Sequence, residues 1–455
     1  MTNKTLLTNN SKVSQVEQIY YSPVAILPPP LNVPVGTTYC FLSHIEAWPD
    51  DANPPAPADD VLSIKNIFKS IFVAKLVTSS DISPVIQRID WTSGLVYDYY
   101  QDNISMFQTD AHGSLLTFFY VKNRYDQVFK CLWNNSGAIA TSEPFFQPGS
   151  YGTNNIYKGA DGYKWKYMYT IDVGTKQKFM DSNWMPVPVG YNTPNPLSTS
   201  AGFGDIEVIN ITNTGSGYDP SSNIITIQIT GDGTGAVATA DVSNGYIMDI
   251  VVTNPGTNYS YANITINTGL GSGAVASAPI SPIGGHGFDP ISELGCTNVM
   301  LTCQFNGDEG GIVPVDIDFR QVGLIISPMS LSSFPNPAAG PIYKVSTDFI
   351  VAGGFGLYTQ EEVIYQGASL ETATFSASSL SFDTATNQLH LINIEGTPTL
   401  NAPVFGSSSH CTRTLLSYSS PDFQTFSGYL AAVQNRSVIQ RSSDGIEQFR
   451  FILGF

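Results

Sequence analysis

The residues best suited to metal or nucleophile chemistry are five histidines and five cysteines, and their spacing argues against both roles. His44, His112, His286, His390 and His410 include no pair at an HxxxH spacing, so they read as scattered structural or surface residues. Cys40, Cys131, Cys296, Cys303 and Cys411 are odd in number and dispersed. The closest two, Cys296 and Cys303, have six residues between them, which fits no zinc knuckle. Buried thiols are the expectation, and a disulfide framework is not. Alternation would place Asp316 and Asp318 on one strand face, as a glycosidase pair or a cation site requires, and Glu361 adjoins Glu362. With 37 acids in the chain, a solvated face is the simpler reading of either pair. Gly231-Asp232-Gly233-Thr234-Gly235 resembles a phosphate or calcium loop only loosely, because no Lys-Ser/Thr follows and no Asp ladder is present. No GxSxG elbow, P-loop or dinucleotide fingerprint occurs. The reading assigns no catalytic, cofactor-binding or metal site, and the chain is expected not to be an enzyme.

The elements that would position these groups read as strands. Asp161-Gly162 is a turn before Tyr163, Trp165, Tyr167, Tyr169 and Ile171, an aromatic row on one strand face. Such a row could stack sugars, but a core or interface stripe is the plainer reading. Lys164 and Lys166 lie opposite, so that face is expected to be wetter. One clear helix is expected where Ile64, Ile67, Phe68, Ile71 and Phe72 repeat at helical spacing behind Asp59 and Asp60. Further strands are expected at Thr37 to Ile45, Gly311 to Phe319 and Gln321 to Ile326, with a loop from Ser327 to Pro341. Tyr429 to Val438 and Phe449 to Phe455 flank an Asp-Gly turn and are expected to close the chain as a β-hairpin.

Composition agrees. Lys plus Arg is 20 against 37 acids, a net charge of -17 with a pI near 4.5, which repels phosphate backbones and disfavours nucleic-acid binding. No run approaches a membrane span and no secretory h-region opens the chain, so a soluble protein made in a cytoplasm is expected. Abundant Gly, Pro, Tyr and Phe suit a fold that is mainly β (α+β with few helices). A multi-domain β-sandwich-like scaffold is expected, with one or two helices.

An internal duplication interrupts that scaffold. Ile209 to Tyr218 recurs as Ile250 to Tyr259 at an offset of 41, and Gly235-Ala-Val-Ala recurs at Gly273 at an offset of 38. Each copy reads as strand, Gly turn, strand, Gly turn, strand. The resulting division is residues 1–60, an extended region with Pro28-Pro29-Pro30 and one strand; 61–203, a β-rich domain with the amphipathic helix; 204–286, an inserted duplicated Gly-rich β-module; and 287–455, a β-rich C-terminal domain.

Several short motifs, taken in order, resemble one family. Gly428, Gln434-Asn435-Arg436, Ser443-Asp444, Glu447 and the apolar end are similar to the C-terminus of the baseplate wedge protein encoded by the eighth gene of T-even-type contractile-tailed phages. Phe41 to Pro49 looks like that family's strand ending in Glu-x-Trp before a Pro-rich loop. Val85-Ile86-Gln87-Arg88-Ile89-Asp90-Trp91 resembles its apolar-Pro-Arg-Arg-Asp-Trp segment, with one Arg retained and the Pro earlier, at Pro84. Asp161 to Tyr167 is similar to its Asp-Gly-Tyr-x-Trp-x-Tyr strand. The resemblance covers residues 37 to 171 and 428 to 455; the duplication departs from it, although Gly-rich repeats of this kind look similar to modules in structural proteins of cyanobacterial phages.

The resemblance implies a myovirus virion protein of the tail baseplate, assembled in the host cytoplasm. It implies a homodimer in each of six wedges that contacts other wedge proteins during sheath contraction, with no enzymatic role; composition and the lack of motifs add the expectation of no cofactor, nucleic acid or membrane. Trp48, Arg88, Trp91, Trp165, Asn435 and Arg436 become candidate interface or framework positions. The alternative is a receptor-binding tail or fibre protein that contacts host glycans through 204–286. A polysaccharide-degrading tailspike would need longer β-helical repetition.

Overall fold

β-Branched and aromatic runs punctuated by Gly, Pro and Asn become strands along most of the chain. The computed structural model describes residues 8–21, 37–111, 114–148, 155–190, 204–221, 224–332 and 336–455. Among these the fold is mainly β, with several separate sheets, as expected. Pro28 to Pro30 and His112 lie outside the described residues.

Four α-helices form among the described residues, more than the one or two expected. The anticipated one is Val61–Ser70, and Asp60 caps it by accepting from the backbone N–H groups of Leu62 (3.0 Å) and Ser63 (2.9 Å). Its Ile67 packs with Tyr39, Phe41 and Ile325. Asp60→Ala is expected to lower the thermal midpoint and Asp60→Asn to restore it, because the cap needs only an acceptor oxygen. Asn9–Tyr21 is a helix within the region expected to be extended. Its buried Val13, Val16 and Ile19 stand among Asn, Ser, Lys and Gln, which blur the apolar period.

The chain divides into two compact units. The first comprises Ser83–Met300 with Met1–Glu17 and Ile452–Phe455. Its principal sheet is antiparallel, in the order Tyr120–Lys122, Gln127–Trp133, Lys164–Thr170, Ile156–Lys158. One face carries the core of Tyr97, Val121, Phe129, Cys131, Tyr163 and Trp165. The other is not wet, contrary to expectation: Lys130, Lys164 and Lys166 are all buried. Register explains the concentration of charge. Lys130 pairs with Lys166 and Lys158 with Lys164, so four ammonium groups share one face. Acids from the duplicated region and just beyond it cover them. Asp249 meets Lys158 (2.8 Å) and Lys164 (2.9 Å), Glu207 lies 3.5 Å from Lys166, and Glu293 lies 2.8 Å from Lys130.

The duplicated module folds as two interlocked copies. The first strand of each copy pairs with the third of the other: Asn210–Ser216 with Ser272–Ser277, and Tyr246–Thr257 with Thr234–Ser243. The middle strands, Thr226–Gly231 and Ala262–Asn267, pair together. This is local two-fold symmetry within one chain, and the copies share a core of Ile206, Ile209, Tyr218, Ile247, Ile250 and Tyr259. Atomic details repeat as well. Gly215 and Gly256 both adopt positive φ (60° and 66°), with their N–H groups donated to Asn213 and Asn254 at 2.9 and 3.0 Å. A Cβ on Gly256 would stand 2.5 Å from the Ala236 nitrogen, so Gly256→Ala meets backbone as well as left-handed strain. That strain alone costs about 1–2 kcal/mol. Gly256→Ala should therefore lower the denaturant midpoint, and the equivalent Gly215→Ala should do so by a similar amount.

The second unit comprises Gln18–Ile82 and Leu301–Phe451. A five-stranded sheet runs Ile342–Lys344, Val73–Val77, Thr38–Ser43, Ile317–Ile326, Tyr429–Arg441. Residues 347–419 form a closed six-stranded antiparallel barrel filled by Phe349, Phe375, Leu389, Leu391, Val404 and Leu415. Two expectations fail here. Asp316 is not in a strand: its φ is 58°, and the strand starts at Ile317, so alternation does not relate it to Asp318. The final two strands, Tyr429–Arg441 and Ile446–Gly454, are not a hairpin. The first borders Ile317–Ile326, while the second lies beside Asn298–Asn306 in another sheet. Phe449 explains the separation, since it packs edge-on against both Phe305 and Phe319 and is committed to a face between sheets.

Candidate functional site

In the second unit, the strand Thr38–Ser43 ends at His44, whose positive φ (59°) turns the chain so that its ring stacks on Trp48 at 3.9 Å. Trp48 Nε1 donates to the Arg436 carbonyl at 2.9 Å. Beside it Asn435 donates to the Pro55 carbonyl (2.8 Å) and accepts from Gln321 (2.7 Å), whose oxygen accepts from Ser43 (2.8 Å). The Arg436 guanidinium lies 5.3 Å from the Phe449 ring centre. Trp48, Asn435 and Arg436 thus form one network stitching early chain to late chain. A cleft of about 640 Å³ opens beside it, with His44, Trp48, Asn66, Gln321, Asn393 and Asn435 among its walls. Burial, then Arg320, push the His44 imidazole below its ordinary pKa, so it is biased to the neutral form.

The other three sequence-selected residues lie in the first unit. Arg88 forks onto Asp90 (3.1 and 2.7 Å) and donates to the Asp181 carbonyl at 2.8 Å. Trp91 packs at the margin of the cluster that encloses Trp165. Trp165 is fully buried, stacked with Tyr163 and edge-on to Tyr97, both at 5.5 Å. Trp91 and Trp165 therefore share a core, and Arg88 holds a neighbouring loop.

The remaining chemistry-bearing groups do not converge. His286 is buried against Lys130, His390 bonds Asp348 at 2.7 Å in the barrel wall, and His410, at positive φ (54°), follows the turn at 407–409. All five cysteines are buried and free. Glu362 accepts from Thr359 N–H (2.7 Å) and Ser409 N–H (3.0 Å), a loop-holding role that Glu361 does not share. Asp232 accepts from the Ser260 N–H (2.8 Å) and hydroxyl (2.5 Å), which ties its turn to the second copy. Among the described residues no group of three His, Cys, Asp or Glu side chains could hold a metal ion.

A second cleft, also of about 640 Å³, lies in the first unit. It runs between Tyr99 to Asn103 on one side and Asn210, Tyr259 to Ala262 and Ser277 to Ser281 of the module on the other. Tyr100 donates to the Ile280 carbonyl (3.0 Å), and Asp102 accepts from the Ile280 N–H (2.8 Å), which fixes the walls. Tyr97, Tyr99 and Tyr100 are close in sequence, but the far wall depends on how the duplication folds. No helix among the described residues is long and apolar enough to cross a membrane. No family model matches the chain, and no curated protein matches it either.

Proposed function

We propose that this chain is a structural component of a phage tail baseplate wedge, acting as a homodimer that binds other wedge proteins. It works in the virion through permanent contacts rather than turnover. The observation that carries the reading is the meeting of two family-like motifs from opposite ends of the chain, where Trp48 of the Glu-x-Trp segment bonds Arg436 of the Gln-Asn-Arg segment across 388 residues. That contact gives the two segments one shared place in the fold, which supports reading them together. The abundance of half-exposed aromatics, such as Tyr125, Phe145, Phe355 and Phe426, also suits a protein that buries more surface on assembly.

Copy number tests the proposal. Quantitative mass spectrometry of purified virions, scaled to the major capsid protein, should return about twelve copies if six wedges each carry a symmetric pair. A multiple of three well away from twelve would favour a fibre or spike. Absence from the particle would reject the reading.

A further inference from the structure

We propose that the first unit's tyrosine-walled cleft, between Tyr99 to Asn103 and the duplicated module, binds a neutral saccharide. This inference does not rest on the wedge assignment. The walls supply what a sugar needs and little that other ligand classes need. The exposed Tyr261 and half-buried Tyr99 offer ring surface for C–H faces, while Gln101 and Asn103 offer paired donors and acceptors and Asn210 an acceptor oxygen, its amide nitrogen donating to the Leu132 carbonyl. Among the described residues no lysine or arginine lines the cleft and Asp102 does, so phosphates, sulfates and acidic sugars find no counter-charge there. The volume lies within the range of roughly 300–1,000 Å³ typical of ligand sites.

Two further observations point to a ligand. Among the described residues the Asn210 Oδ1 and Ser281 Oγ atoms are buried without hydrogen-bond partners, and both residues line this cleft. Buried polar atoms left unpaired are costly, and two lining one cleft mark where polar groups of a ligand would be satisfied. The duplication adds a comparison internal to the chain. At the offset of 41, Asn210 corresponds to Val251 and Tyr261 to Pro220. The repeat diverges at two of the positions that furnish this cleft, although its structural glycines, asparagines and tyrosines are retained.

The test is saturation-transfer NMR and calorimetry on the full chain, with maltotriose and tri-N-acetylchitotriose as neutral probes and a sulfated disaccharide as the anionic control. Tyr261 is 54% exposed, so Tyr261→Ala should leave the thermal midpoint unchanged and weaken binding on the order of tenfold. Ser281→Ala removes a hydroxyl that has no partner in the fold, so it should weaken binding without lowering stability. Binding of a neutral probe that both substitutions diminish would support the site. Failure of both neutral probes at millimolar concentration, binding unaffected by Tyr261→Ala, or preference for the sulfated control would each overturn it.

Discussion

Replacing Lys130 with alanine is expected to destabilise the first unit by about 3–5 kcal/mol, because it strands a buried carboxylate. Lys130 and Glu293 lie 2.8 Å apart with side chains 1% and 2% exposed. Burial alone would raise the Glu293 pKa, but Lys130 and His286 outweigh it and hold the carboxyl at about 2. Burial pushes the Lys130 pKa down in turn, so the intact pair stabilises the fold by less than the cost of stranding one partner, and the part that follows pH is the Glu293 carboxylate's. Since the folded pKa is depressed, this contribution is present above about pH 4.5 and is lost as pH falls towards 2. His286 acts in the same direction: burial, then Lys130, lower its pKa, so its share is complete above its ordinary 6.5 and is lost on acidification. Urea midpoints at pH 7, 5 and 3 should therefore fall steeply for the native chain. They should fall less for Lys130→Ala, whose Glu293 takes up a proton early. The double change Lys130→Met with Glu293→Gln should recover much of the loss, because Gln keeps an acceptor for the Gly287 N–H at 2.7 Å. A single-variant loss below about 1 kcal/mol would mean that water already reaches this cluster.

That cluster also shows where the sequence is legible and where it is not. Local signals were enough for the helix behind Asp60, the strand Thr38–Ser43, the aromatic strand at Trp165 and the duplication, because each depends on residue types at short spacing. The lysine face departs from expectation for a physical reason. Alternation tells which side chains share a face but not what covers it, and the covering acids Glu207, Asp249 and Glu293 lie dozens of residues further along. The closing strands failed in the same way. An Asp-Gly turn between apolar runs favours a hairpin locally, yet the packing of Phe449 on Phe305 and Phe319 places the second strand in another sheet. The barrel of residues 347–419 was unreadable because closure is set by register between distant strands, such as Asp348 with Ser419. Of the six candidate positions, spacing alone could not pair Trp48 with Arg436; only the fold brings them within a hydrogen bond.

Trp165→Ala should be the other severe substitution, costing about 3–5 kcal/mol. The indole is wholly enclosed by Tyr97, Val121, Phe129, Cys131, Ala140 and Tyr163, a set that spans the centre of the principal sheet and the loops bearing on it. Alanine would leave a cavity that these aromatics cannot close, since Tyr163 is itself held by its hydroxyl, which donates to the Ala138 carbonyl at 2.6 Å. Trp165→Phe separates volume from polarity. Trp165 Nε1 is buried without a partner, so phenylalanine discards an unsatisfied donor and should cost far less than alanine. Thermal unfolding of the three proteins would rank them native, Trp165→Phe, Trp165→Ala. The residue also discriminates between roles. A fully enclosed side chain acts on any partner only through the scaffold, so any loss of partner binding in Trp165→Ala should scale with the loss of folded protein. If alanine left both folding and partner binding intact, Trp165 would be neither framework nor interface, and the aromatic strand would lose its place in the assignment.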